Sequence, residues 1–317
     1  MSASKRSITT TLYLQIKLIL KWMLQSMGEL KRNDPLRLAG ATAFFSTFAL
    51  PPILIILIQL FGLFFNKKEL SSQLISSLSR LVGKNGAIQV QQVLNNFNSL
   101  SENLFALTAG FVFLLFVATT LFSVIKNSLD QIWNIRVKLH PGLLFYLKLR
   151  GRSLLVILLA GLLFIFLIFI ESMQAILGNY IDYLGYKEGN FLNGVVNELL
   201  FILIVTTWFS TIFRFLTDGR PTWKAALAGG FFTAALFSFG KVILKTLLAT
   251  SNISTIYGAS GSFVLILLFV FYSSLIFYYG GCFIKVMCDD LKLPIRPVKE
   301  AFKYHVTEVD TKEEPGI

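Results

Sequence analysis

FFSTFALPPILII, residues 44–56, sets two adjacent prolines, Pro51 and Pro52, inside an apolar run that otherwise reads as one uninterrupted helix. Proline has no N–H, so Pro51 leaves the carbonyl of Thr47 without its helical donor and Pro52 leaves that of Phe48. Apolar residues continue from about 38 to 65, and about 20 of them suffice to cross roughly 30 Å of hydrocarbon. At such depth a freed carbonyl needs a partner. Ser46 and Thr47 offer hydroxyls nearby, and a hydrated or solute-lined interior would serve as well, as it does in the broken helices of transporters.

Outward from this stretch the pattern repeats. Five further apolar runs, about 104–125, 153–178, 194–216, 224–249 and 258–287, are each long enough to span a bilayer. With 55% hydrophobic and 15% charged residues and a mean hydropathy of +0.68, a soluble chain of 317 residues would lack the polar surface to cover its core. The expected fold is all-α: a polytopic membrane protein with six transmembrane helices plus amphipathic interfacial helices.

The expected organisation is an amphipathic N-terminal segment over 1–33, a six-helix domain over 34–288 and a cytoplasmic tail over 289–317. In the N-terminal segment, Lys17, Lys21 and Glu29 interrupt LYLQIKLILKWMLQSMGEL, which suits a helix on the membrane surface and not a signal peptide. Residues 66–100 are too polar to span. Leu70, Leu74, Leu78, Leu81 and Val82 recur there at helical spacing, predicting amphipathic helices outside the bilayer, broken at Gly83 to Gly86. The tail after Pro294 is short and charged, and is expected to be loosely ordered.

The net charge of +12 invites a nucleic-acid reading until its distribution is followed. With six spans, most of the 29 basic residues fall on one face: in the N-terminal segment, the second-to-third connection, the fourth-to-fifth turn and the tail. Lys67, Lys68, Arg80, Lys84 and Lys187 fall on the other. The positive-inside rule then puts both termini in the cytoplasm. The charge is thereby accounted for by topology and attraction to anionic headgroups, so the expected partners are membrane lipids and not nucleic acid. A homo-oligomer is compatible with the sequence.

Inside the fifth span, Lys241 and Lys245 sit one turn apart, and an ammonium in hydrocarbon costs roughly 2.5–3.5 kcal/mol at mid-depth. Lys245 is close enough to the outer surface to snorkel, which makes Lys241 the stronger candidate. Glu171 and Glu198 are expected at similar depth, positioned for an ion-pair network with Lys241. Arg214, at the inner end of the fourth span, is expected to anchor at the interface or meet a phosphate. Ala226, Gly230, Ala234 and Ser238 recur every fourth residue as a ridge for close helix packing.

No catalytic residue, metal site or cofactor is expected. His140 and His305 stand outside any metalloprotease spacing, Cys282 and Cys288 are too far around one helix to pair within it, and no phosphate-binding glycine loop or nucleophile elbow occurs.

Four ordered stretches resemble one family: DPLRLAGATAFFSTFALPPILIIL (34–57), LFSVIKNSLDQIWNIR (121–136), FRFLTDGRPTWKAALAGGFF (213–232) and SNISTIYGASGSFVLILLFVFYSSLIFYYGGCF (251–283). Together they resemble the YihY/BrkB membrane proteins of bacteria, once labelled ribonuclease BN. The resemblance implies six transmembrane helices in the inner membrane, both ends inside, with links to envelope integrity, serum resistance and lipid export and no settled enzymatic activity. Members often carry an acidic residue near the end of the last helix, where this chain has Gly281-Cys282-Phe283.

The expected function is transport or export of a lipid-like or amphiphilic solute, with Ser46, Thr47, Pro51, Pro52, Lys241, Glu171, Glu198 and Arg214 as candidates along its path. The alternative is a non-transporting scaffold for envelope partners; a membrane-bound nuclease is disfavoured, since it would need converging carboxylates.

Overall fold

The computed structural model describes residues 2–82, 87–88, 90–92, 94–95, 104–138, 147–148, 150–163, 165–166, 189–250 and 261–305. Helix α1 (Ser2–Arg32) is separated from α2 (Pro35–Phe61) by Asn33-Asp34, where Asp34 takes a left-handed φ of 52° and Pro35 starts the new helix at a position that needs no N–H donor. After α3 (Lys67–Val82) come α4 (Leu104–Ile132), α5 (Gly189–Thr211), α6 (Trp223–Thr250) and α7 (Gly261–Asp290). Among the described residues, four helical stretches are long and apolar enough to cross a membrane: Pro35–Phe61, Glu198–Leu216, Trp223–Val242 and Phe263–Asp290.

Helix α7 is the axis of the bundle, packing against α1, α2, α4 and α6. Glycine permits the closest of these approaches. A Cβ on Gly280 would stand 1.9 Å from the Thr233 hydroxyl of α6, and the bare carbonyl of Gly281 accepts the Trp133 indole N–H at 2.9 Å. The rings of Phe213 and Phe277 stack beside them, 4.9 Å between centroids and 4° from parallel. Leu129, Ile132, Trp133, Phe213, Leu216 and Tyr278 are fully buried here. This dense end, where α4 stops, α2 begins and α7 ends, is called the base below.

Helix α2 continues through both prolines. Thr47 commits its hydroxyl proton to the carbonyl of Ala43 at 2.8 Å, so it does not serve the acceptors that the prolines leave open. Helix α1 does not lie apart from the bundle. Its Trp22, Ser26 and Leu30 are buried, its Trp22 indole and Lys21 both reach Asp290, at 2.9 and 2.6 Å, and Lys285 pairs with Glu29.

The expectation of a loosely ordered tail after Pro294 is corrected over residues 295–305, which are held in place; residues 306–317 lie outside the described residues. Strand β3 (Arg296–Pro297) pairs antiparallel with β2 (Gly219–Arg220), and β4 (Ala301–Lys303) pairs antiparallel with β1 (Ile135–Val137). The register sets Arg220 opposite Arg296 and Ile135 opposite Lys303. The fold is therefore mostly helical, with short strands where the tail binds two connections; buried Ile295, Val298 and Ala301 hold it down.

Candidate functional site

Lys126 and Asp130 are one helical turn apart on α4 and so share a face. They meet at 2.9 Å, and the Lys126 ammonium also lies 2.6 Å from Asp218, which follows the π-helical turn Ile212–Leu216 closing α5. Asp218 takes Arg152 as a second cation at 3.2 Å and donates its own backbone N–H to Asp130 at 3.0 Å. Lys126 is 3% exposed and Asp218 not at all. Two carboxylates and two cations thus neutralise one another in a largely buried site, where removal of a single partner would strand a charge.

The π-helical turn widens the backbone where it meets the loop, a distortion common at functional sites. It carries Arg214, whose guanidinium donates to the carbonyl of Pro221 and stands 5.6 Å from the centroid of the Trp223 ring. Arg152 and Arg214 open onto a cavity of 460 Å³ that is also lined by Lys148, Arg220, Arg296, Lys299 and Glu300. Six cationic side chains therefore surround a space that holds one carboxylate.

A second cavity, of 610 Å³, lies toward the other end of α2, its first lining residue Ile55 about 30 Å by helical rise from Pro35 at the base. Its lining is chemically mixed. Ile55, Ile58, Ile75 and Leu94 supply apolar surface, while Gln59, Lys67, Lys68 and serines of α3 supply polar groups. It begins at Ile55, one turn past Pro51 and Pro52, which are half-buried and buried respectively and do not line it; Ser46 is half-buried and Thr47 buried.

Lys241 reaches Glu198 at 3.3 Å and stands 4.0 Å above the Phe201 ring, and Ser238 also hydrogen-bonds Glu198. Both charged residues are partly exposed, and neither lines a described cavity. Glu171, the side chain of Lys245 and residues 251–260 lie outside the described residues. Among the described residues, Arg214 is the expected site residue found at a cavity wall.

Lys126, Asp130, Asp218 and Arg152 are not among the residues the sequence singles out. A signal existed in the i, i+4 pairing of Lys126 with Asp130 just past an apolar run, but their partner stands 88 residues away from Asp130 in sequence and no local pattern links them. Cys282, at the position where an acidic residue was expected from resemblance, is fully buried and unpaired in the core.

Residues 26–297 match a family model described as "Virulence factor BrkB". A UPF0761 membrane protein of Saccharophagus degradans is 27% identical over 252 residues, covering 79% of this chain and 56% of that relative. UPF0761 membrane protein MS0032 of Mannheimia succiniciproducens is 24% identical over 267 residues, covering 82% and 86%. A counterpart in Teredinibacter turnerae is 24% identical, covering 80% and 57%. The chain thus spans little more than half the length of two of these three relatives. No solved structure matches.

Proposed function

Because the chain belongs to the Virulence factor BrkB family, we propose that it is a six-span protein of the bacterial inner membrane, both termini cytoplasmic, that moves or accommodates a lipid-like amphiphile. Two crossings, α4 and the run 153–178, are added to the four helical stretches described above on the strength of their apolar length. Leu20, Leu24 and Met27 of α1 remain exposed opposite its packed face and suit a helix that also touches the membrane surface.

The observation that carries the transport reading is the 610 Å³ cavity at the far end of α2, whose wall mixes isoleucines with serines and the adjacent ammoniums of Lys67 and Lys68. Its apolar residues suit an acyl chain and its ammoniums an anionic headgroup. Pro51 and Pro52 stand one turn below it. They leave two main-chain acceptors on the approach and give α2 a weak point at which it can bend.

The test is movement of a fluorescent phosphatidylglycerol across proteoliposomes, read by quenching from one side. Wild-type protein is expected to exceed protein-free vesicles, Ile58→Trp with Ile75→Trp to abolish the excess by filling the cavity, and Lys67→Glu with Lys68→Glu to reduce it. Equal movement in all three proteins, or none above empty vesicles, rejects the transport reading and leaves the scaffold alternative.

A further inference from the structure

We propose that the 460 Å³ cavity at the base is a binding site for a phosphate-bearing anion, held between Arg220 and Arg296 with Arg214 and Lys299 completing its walls. Register supplies the first argument. Arg220 and Arg296 are directly opposed on β2 and β3, and like charges in that relation repel across a strand pair. A fold that sets two guanidiniums opposite each other and surrounds them with further cations is stabilised by an anion between them.

The carboxylates provide the second argument. Asp218 and Asp130 are consumed below the cavity by Lys126 and Arg152, which leaves Glu300 as the single carboxylate in the wall. Arg214 is held in place by the Pro221 carbonyl and the Trp223 ring, so its fork is oriented before any ligand arrives. Planar guanidiniums bind phosphate oxygens in pairs, and the volume falls within the range of small-ligand sites.

The ligand's phosphate group has two possible sources, a free soluble anion or the headgroup of an anionic lipid, and the chemistry at the wall is the same for both. The proposal does not rest on the transport reading, because it concerns the opposite end of α2 and different residues.

The test uses full-length protein in phosphatidylcholine nanodiscs, titrated calorimetrically with inorganic pyrophosphate. A second arm replaces a fraction of the lipid with a headgroup-labelled phosphatidylglycerol and reads energy transfer from the protein's tryptophans. In either arm, Arg220→Gln with Arg296→Gln is expected to weaken binding by roughly tenfold or more, while Lys31→Gln, an exposed cation outside the cavity, leaves it unchanged. A pyrophosphate signal lost in the double variant identifies a soluble anion; a lipid signal alone, lost in the same way, identifies a headgroup. Melting controls for folding: without added anion the double variant should melt no lower than wild type, since a repulsion has been removed, and pyrophosphate should raise only the wild-type transition where the ligand is soluble. Absence of binding in both arms, or binding that the double variant retains in full, overturns the proposal.

Discussion

Asp218 is a focal side chain of this fold, because Lys126, Arg152 and Asp130 all depend on it for a contact, with Asp218 itself fully buried. Asp218→Ala would leave Lys126 and Arg152 facing each other with only Asp130 to balance them. A stranded buried charge of this kind costs about 3–5 kcal/mol. The expected outcome is a large fall in the melting temperature of the detergent-solubilised protein. Lys126→Met with Asp218→Leu should cost less than the sum of the single changes, since together they leave one carboxylate and one cation instead of two unbalanced like charges. Additive losses would show that the cluster is not coupled. Lys241 and Glu198 are the contrasting case. Their contact is partly exposed, and Lys241→Gln is expected to shift stability by no more than about 1 kcal/mol in the same melting experiment.

At the scale of elements, the helices owe their closeness to missing side chains. A Cβ on Gly230 would lie 2.1 Å from the Ser210 hydroxyl and 2.8 Å from the backbone carbonyl of Thr206, so α5 and α6 touch through bare backbone. Gly230→Ala should therefore force the pair apart, at a cost of about 1–3 kcal/mol. Gly40→Ala meets nothing within 4 Å on α2 and should stabilise by about 0.4–1 kcal/mol. Thermal unfolding of the two variants side by side checks the contrast, and equal effects would refute it. This packing was legible in the sequence, since Ala226, Gly230, Ala234 and Ser238 announce themselves by spacing alone. So were the long apolar helix Pro35–Phe61, which runs on through both prolines instead of breaking there, and a helix over Lys67–Val82, because each is written in a period of one element. The ion cluster and the paired arginines were not, since both arise only when segments far apart in sequence meet. Strands as short as Gly219–Arg220 and Arg296–Pro297 leave no alternation to read.

For the whole molecule, the consequence of those short strands is that the chain's last described segment fastens two connections to the base. Strand β4 holds the segment that follows α4, β3 holds the loop that carries Asp218, and the Val298 N–H donates to the Asp218 carbonyl at 2.8 Å. The tail also supplies Arg296, Lys299 and Glu300 to the cavity wall, so it joins the placement of the buried charges to the shape of the site above them. Truncation tests this division directly. Ending the chain after His305 keeps both strands and should leave the melting temperature near that of the full protein. Ending it after Pro294 removes buried Ile295, Val298 and Ala301 along with the strand pairings, a loss of about 3–5 kcal/mol from apolar burial alone. It should also expose Ile135 and Gly219 to solvent, so that their amides exchange hydrogen faster while those of the membrane-crossing stretches remain protected. If the shorter chain melts and exchanges like the longer one, the strands are ornaments on a bundle that stands without them. If it loses protection at Ile135 and Gly219 together, the two connections act as one unit, organised by a segment distant from both in the sequence.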